Sequence, residues 1–275
     1  MAITTTRYLS PALGRYVTFT AVIPFEDYDF FMNKNEYPFT DVHPLPTLYL
    51  LHGITGDDRD WIYGTQITEF AREHRLAVIM PDGQNNFYVD NNPCECWGRF
   101  IGEELVAMTR AFFPLSDRRE DTYIGGLSMG GYGALRNGLR YSHTFSKIIA
   151  LSSALIMEDA INSTEEAEVN FSKRSYYNRI FGGDVSKLPG SDMDIETLFL
   201  KNQQPTDIFM AVGKDDFLLG KNRKFKKFLE DHGASLTYYE DEGGHEWNFW
   251  NRNIEKALQW LSSGEKSSEK YSKRL

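Results

Sequence analysis

The sequence predicts an α/β fold, a mainly parallel central sheet with helices on both faces, built as one large domain. Three observations predict it. Short runs that are apolar throughout recur along the chain, as expected of central parallel strands buried on both faces. Segments with helical apolar spacing lie between those runs, and strands alternating with helices wind around one sheet. The length of 275 residues suits a single parallel α/β unit and can bury roughly three quarters of the unfolded surface without disulfides or metals.

Taken in order, residues 15–23 (RYVTFTAVI) alternate, with Val17, Phe19, Ala21 and Ile23 on one face, which is the period of a strand. Residues 24–46 break the rhythm. They are aromatic and acidic, carry Pro38, Pro44 and Pro46, and read as a loop or hairpin insertion. Residues 47–51 (TLYLL) form the next strand, and Ile67, Phe70 and Ala71 mark the helix after it. Residues 76–80 (LAVIM) are a strand closed by Pro81-Asp82-Gly83, and Ile101, Leu105, Met108 and Phe112 trace the apolar stripe of a second helix. Strands follow at 122–125 (TYIG) and 147–151 (KIIAL), with a helix beginning around Tyr132 between them.

Residues 153–205 are too long for a simple connection and read as a cap-like excursion over one end of the sheet. A strand at 207–212 (DIFMAV) precedes a helix marked by Phe225, Phe228 and Leu229 and closed by Gly233. A strand at 236–240 leads into a final amphipathic helix whose stripe is Trp247, Trp250, Ile254, Ala257, Leu258 and Leu261. The expected domain spans residues 1–261. Residues 262–275, rich in Ser, Lys and Glu, read as a polar, frayed tail.

Composition narrows the function classes. Thirty basic against 39 acidic side chains give a net charge of −9, which disfavours a nucleic-acid partner. No apolar run approaches the ~20 residues of a membrane span, so no membrane association is expected. Residues 1–16 lack both a charged start and an apolar core, so no signal peptide is visible and a cytoplasmic location is expected. Cys94 and Cys96 stand one residue apart, where a disulfide would be strained. They read as ordinary thiols suited to a reducing compartment.

The sharpest chemical signal is Gly125-Gly126-Leu127-Ser128-Met129-Gly130-Gly131, in which Gly126, Ser128 and Gly130 satisfy G-x-S-x-G. A nucleophilic serine on a tight strand-to-helix turn needs small neighbours, and the TYIG strand and the following helix supply that setting. Such a serine needs a base. Of the six histidines, His74, His143 and His232 sit in or just after polar helical segments, where exposure is expected. His245 lies in Glu242-Gly243-Gly244-His245 between the last strand and the last helix, at the same carboxyl edge as Ser128.

Asp215 and Asp216 follow the penultimate strand at that edge, and either could hold the imidazole tautomer. An oxyanion hole needs two backbone N–H groups. Met129, next to the nucleophile, is one, and Ile54 in Leu51-His52-Gly53-Ile54 is the other, with His52 shaping that loop. No spacing of metal ligands stands out, so no metal is expected.

LYLLHGITGDDRDW, GGLSMGGYGAL, ALSSAL, GKDDFL and GGHEWNFW together resemble the esterase D-type family of α/β-hydrolases, in order, from about residue 10 to 261. That family includes tributyrin, acetyl-xylan and feruloyl esterases and S-formylglutathione hydrolases. The resemblance implies an α/β-hydrolase fold and a cofactor-free serine carboxylesterase that cleaves short-chain acyl or aryl esters through an acyl-enzyme. It places the family's catalytic residues on Ser128, Asp216 and His245 and its oxyanion donors on Ile54 and Met129, and it implies self-association as a homo-oligomer. Asp216 rather than Asp215 is favoured because it directly precedes Phe217-Leu218.

Trp61, Trp97 and Trp247 lie in or beside rim loops and are candidates to line an acyl or aryl pocket, with core packing the alternative for each. A thioester hydrolase acting on S-formylglutathione is the alternative. A non-catalytic binding protein on the same frame is disfavoured, because every member of the triad is present. The insertion at 24–46 departs from the family pattern and leaves substrate size open.

Overall fold

The structure, a computed structural model, describes residues 1–25 and 44–262. Most of the insertion expected at 24–46, and the tail from 263 onward, lie outside the described residues.

Eight strands form one sheet: β1 (Ala2–Ser10), β2 (Arg15–Ile23), β3 (Thr47–Leu51), β4 (Ala77–Pro81), β5 (Thr122–Leu127), β6 (Lys147–Leu151), β7 (Asp207–Gly213) and β8 (Leu236–Asp241). Their order is β1-β2-β4-β3-β5-β6-β7-β8. The pairs from β4 through β3, β5, β6 and β7 to β8 are all parallel, whereas β1–β2 and β2–β4 are antiparallel.

The central strands are apolar throughout because both of their faces are covered. Tyr49 and Leu51 of β3 and Ile148 and Ala150 of β6 enter one core layer. Leu48, Leu50, Ile149 and Leu151, from the same two strands, enter the other. Short helices α1 (Asp60–Gly64) and α2 (Ile67–Glu73) pack on the second layer with the last helix, α10 (Trp247–Ser262). Helices α3 (Trp97–Arg99), α4 (Leu105–Phe112), α5 (Met129–Arg140) and α9 (Leu219–Asp231) serve the first. Residues 153–205 carry α6 (Met157–Asn162), α7 (Arg174–Ile180) and α8 (Ile195–Lys201). Their Ala160, Tyr177, Ile180 and Leu198 join the same core as the sheet.

Two sequence expectations are corrected. First, β1 is a strand that the apolar pattern does not announce. It is an edge strand whose residues alternate between exposed and half-buried, so its Thr-Thr-Thr-Arg stretch carries no core face. Its pairing with β2 is fixed by the hairpin turn at 11–14, where Gly14 takes φ +59°.

Second, the predicted stripe of Ile101, Leu105, Met108 and Phe112 holds only in its first half. A π-helical stretch, Phe100–Glu104, separates α3 from α4, and Ile101 within it and Leu105 after it are fully buried, but Met108 is half-buried and Phe112 is the last residue of the helix. Leu105, Val106 and Thr109 are the buried positions of α4, whereas Phe112 is 58% exposed. Thr109 can be buried because its hydroxyl bonds Tyr49 Oη at 2.7 Å and the Leu105 carbonyl at 2.8 Å.

Candidate active site

Because β3 to β8 run in parallel, the loops that leave them emerge at one edge, where α/β sheets place their ligands. Ser128 sits there between β5 and α5, with φ +54° and ψ −117°. A side chain rarely adopts this conformation, and the strain is of order 1–3 kcal/mol. Packing enforces it. The Ser128 N–H bonds the Leu151 carbonyl at 2.9 Å, and the Ser128 carbonyl accepts the N–H of Ala154 at 2.9 Å and of Tyr132 at 3.1 Å. The turn also requires bare backbone beside it. A Cβ on Gly126 would strike the Gly130 backbone, and one on Gly130 would strike the carbonyls of Leu51 and His52. The G-x-S-x-G spacing is therefore a steric requirement of this crossing.

The β7 and β8 loops are zipped together. Lys214 N–H bonds Asp241 O at 2.9 Å and Asp215 N–H bonds Gly243 O at 3.1 Å, which carries His245 over the end of β7. His245 Nδ1 lies 3.0 Å from Asp216 Oδ2, and Nε2 lies 3.0 Å from Ser128 Oγ. An ionised carboxylate can only accept, so Nδ1 carries the proton and Nε2 presents its lone pair to the serine hydroxyl. Of the two aspartates, Asp216 is the one that faces the imidazole. Its side chain is fully buried, while Asp215 is exposed.

The second carboxylate oxygen, Oδ1, accepts the Leu218 N–H at 2.8 Å. Burial pushes the Asp216 carboxyl up, but hydrogen bonds from His245, Leu218 and Ser152 outweigh it and hold the group below the usual carboxylate range. The imidazole is flanked by two rings. Phe217, 75% exposed, lies 4.7 Å away by centroid, and Trp250 stands edge-on at 4.9 Å.

The β3 loop reaches the same point. A Cβ on Gly53 would lie 2.7 Å from Leu127 Cδ1 and 3.5 Å from Ser128 Cβ, so this backbone runs directly beside the serine. His52 is buried below it. Its Nε2 accepts the Gly83 N–H at 2.9 Å, so the proton is on Nδ1, which donates to the Gly53 carbonyl at 2.7 Å. In a trans peptide the carbonyl and the next N–H point in opposite directions. Holding the Gly53 carbonyl toward His52 therefore turns the Ile54 N–H outward. Asn85 Oδ1 fixes the following residue by accepting the Thr55 N–H at 2.7 Å. Met129 opens α5, so its N–H has no carbonyl four residues back within the helix.

Two of the three candidate tryptophans take the core-packing alternative. Trp61 is fully buried in the second core layer, with its indole N–H on the Leu51 carbonyl at 3.1 Å, and Trp97 is buried in the first, edge-on to Phe100. Trp247 is half-buried and packs edge-on between Trp61 and Trp250. Trp250, assigned by periodicity to the apolar stripe, is the tryptophan that touches the imidazole. Its contact has a signal in the sequence, since it lies one helical turn beyond the histidine loop. A cavity of about 130 Å³ opens between the 153–205 excursion and helices α5 and α9, with Tyr132, Leu155 and Phe225 beside the charged Glu158, Asp194 and Lys221; Ser128 and His245 are not part of its lining.

Sheet order, strained elbow and carboxyl-edge loops define the molecule as an α/β-hydrolase-fold enzyme. Residues 30–261 match the family described as "Putative esterase", and the chain belongs to that family. It is an enzyme that hydrolyses carboxylic esters, a serine carboxylesterase. It is 43% identical to an acetyl esterase of Caldicellulosiruptor saccharolyticus over 267 residues, covering 95% of this chain and 98% of that protein. Among solved structures, it is 30% identical to the fluorophosphonate-binding serine hydrolase FphF of Staphylococcus aureus, with TM-score 0.81 over 94% of this chain and 98% of that one. It is also 30% identical to the S-formylglutathione hydrolase FrmB of Staphylococcus aureus, with TM-score 0.79 over 94% and 98%.

Proposed function

We propose that Ser128 attacks the carbonyl of a short-chain ester, acetyl in the first instance, with His245 as base and Asp216 as the group that orients it. The observation that carries this reading is the continuous hydrogen-bond chain from Ser128 Oγ through the imidazole to Asp216, at 3.0 Å for each link. In this reading His245 Nε2 removes the hydroxyl proton as Oγ bonds to the carbonyl carbon. The developing oxyanion takes hydrogen bonds from the Ile54 and Met129 N–H groups. The imidazolium then protonates the leaving alkoxide, and the acyl-enzyme is hydrolysed by water activated on the same nitrogen.

The acetyl preference rests on the relative named as an acetyl esterase. Thioester cleavage is a second reading, supported by the relative named as an S-formylglutathione hydrolase. The two predict different orders of kcat/KM between p-nitrophenyl acetate and S-formylglutathione. A cytoplasmic location belongs to the same reading and is supported by the free thiols Cys94 and Cys96.

The test is covalent labelling with a fluorophosphonate probe followed by peptide mapping. The expected adduct is on Ser128, and Ser128→Ala should lose several orders of magnitude in turnover. Labelling of another serine, or a fully active Ser128→Ala, overturns the assignment.

A further inference from the structure

The loop after β4 carries two consecutive residues in the left-handed region, Phe87 at φ +52° and Tyr88 at φ +57°. Side chains rarely adopt that conformation, and such strain persists only where the surroundings enforce it. Tyr88 is fully buried. Its carbonyl accepts the Asn137 side-chain amide at 3.0 Å, and the same amide bonds the Gly133 carbonyl at 2.9 Å, so α5 holds the strained backbone. The ring fits because Gly83 and Gly133 have no side chain, and a Cβ on either would strike it. Pinned in this way, the phenol donates to the His52 carbonyl at 3.0 Å.

Two further bonds tie the same loop to the one after β3. The Gly83 N–H bonds His52 Nε2 at 2.9 Å, and Asn85 Oδ1 accepts the Thr55 N–H at 2.7 Å. The three contacts fall on His52 and Thr55, on either side of the Gly53–Ile54 peptide, and none of them uses the Ile54 N–H. Of the three, Tyr88 also bonds α5, the helix that Met129 opens. It therefore joins the two elements that carry the Ile54 and Met129 N–H groups. An oxyanion hole needs both donors within about 3 Å of one oxygen.

We propose that Tyr88 is a positioning residue for the ester hydrolysis: braced on α5, it holds the His52 carbonyl, and with it the loop that presents the Ile54 N–H, in register with Met129. The proposal rests on the reading of Ile54 and Met129 as the oxyanion donors. Tyr88 acts through this loop rather than on the reacting atoms. Its hydroxyl fixes the His52–Gly53 peptide, and the His52 ring fixes the next peptide through the Gly53 carbonyl at 2.7 Å. With both peptides held, the Ile54 N–H keeps one direction before substrate arrives. Donors fixed in advance need no reorganisation as charge develops on the oxygen, so loss of the hydroxyl weakens transition-state binding more than substrate binding.

The experiment compares Tyr88→Phe, which keeps the ring, with an Ile54 amide-to-ester exchange, which removes only that N–H. Each is assayed for kcat per titrated site and KM on p-nitrophenyl acetate, for the end-point fraction of sites titrated by a fluorophosphonate, and for inhibition by an alkyl trifluoromethyl ketone. The ketone forms a tetrahedral adduct with Ser128 whose oxyanion occupies the hole, so its Ki reads the hole directly. Tyr88→Phe should lower kcat by roughly ten- to a hundredfold, less than a donor lost outright, and raise the ketone Ki by a similar factor. KM and the titratable fraction should stay within about twofold of the parent. The amide-to-ester exchange should lower kcat by about 10²–10³.

A Tyr88→Phe kcat within about twofold of the parent, a fallen kcat with an unchanged ketone Ki, or an activity loss wholly accounted for by lost titratable sites would overturn the proposal. A parent-like kcat in the amide-to-ester enzyme would instead mark failure of the oxyanion reading, and the proposal falls with it.

Discussion

At the scale of single residues, the two adjacent aspartates separate most sharply. Consecutive residues leaving a strand point to opposite sides, so one faces the site and the other faces solvent. Asp216 is buried on His245 and Asp215 is exposed. Asp216→Asn should cut kcat by up to ~10⁴, as in the serine-protease precedent, because an amide donor against Nδ1 favours the tautomer that cannot accept the Ser128 proton. Asp215→Asn should leave kcat near the parent value. Side-by-side turnover and melting curves check both, and a large kcat loss confined to Asp215→Asn would reverse the assignment.

The same residue scale shows how much of the site was legible. Ser128 and His245 follow from a motif and from loop position, because a tight strand–turn–helix has a sequence signature. The choice of Asp216 followed from resemblance, and geometry decides it. Ser152 left no separable signal, and Trp250 left only its place one turn beyond the histidine loop. One reads as a polar strand end and the other as an apolar helix position, and what joins them is a hydrogen bond between residues 98 positions apart.

At the scale of elements, helix α5 both begins at the Ser128 turn and anchors the excursion. Two turns beyond Ser128, Arg136 is fully buried and holds Asp192 and Asp90, and it also bonds the Asp192 carbonyl at 3.1 Å. Burial alone would lower its pKa, but Asp192 and Asp90 more than compensate and the guanidinium is raised. One turn earlier, Tyr132 Oη donates to the Met193 carbonyl at 2.7 Å. Arg136→Met should cost about 3 kcal/mol, the low end for a broken buried pair, because the two acids left behind are partly exposed. A thermal melt reads this as a fall of roughly 6–12 °C for a chain of this size. An unchanged melting temperature would remove the clamp from the account.

At the scale of the whole molecule, acid acts on stability through buried carboxylates. Asp216 and Asp121 both titrate below the usual carboxylate range. In each, burial pushes the carboxyl up and hydrogen bonds outweigh it, from His245 and Leu218 in one case and from Arg118 and Ser116 in the other. A depressed folded-state pKa adds stability above the unfolded value of ~3.9 and loses it as pH falls through the folded value. The melting temperature should therefore hold down to about pH 4 and drop only below it. A pH series of melting temperatures tests this, and a loss that sets in well above pH 4 would refute it.

The sequence by itself determined the parallel sheet, because strands buried on both faces must be apolar throughout and the code for that is local. It determined the turn at Ser128 for a similar reason, since only glycines tolerate the backbone crossing at Gly130. The tertiary structure decided what depends on residues meeting across the fold. It added the polar edge strand β1, which has no core face to announce it. It buried Val106 and Thr109 in α4 where the apolar spacing pointed to Met108 and Phe112. It took Trp61 and Trp97 into the core and set Trp250 against the imidazole, because a large ring reads the same in sequence whether it packs on a sheet or beside another ring.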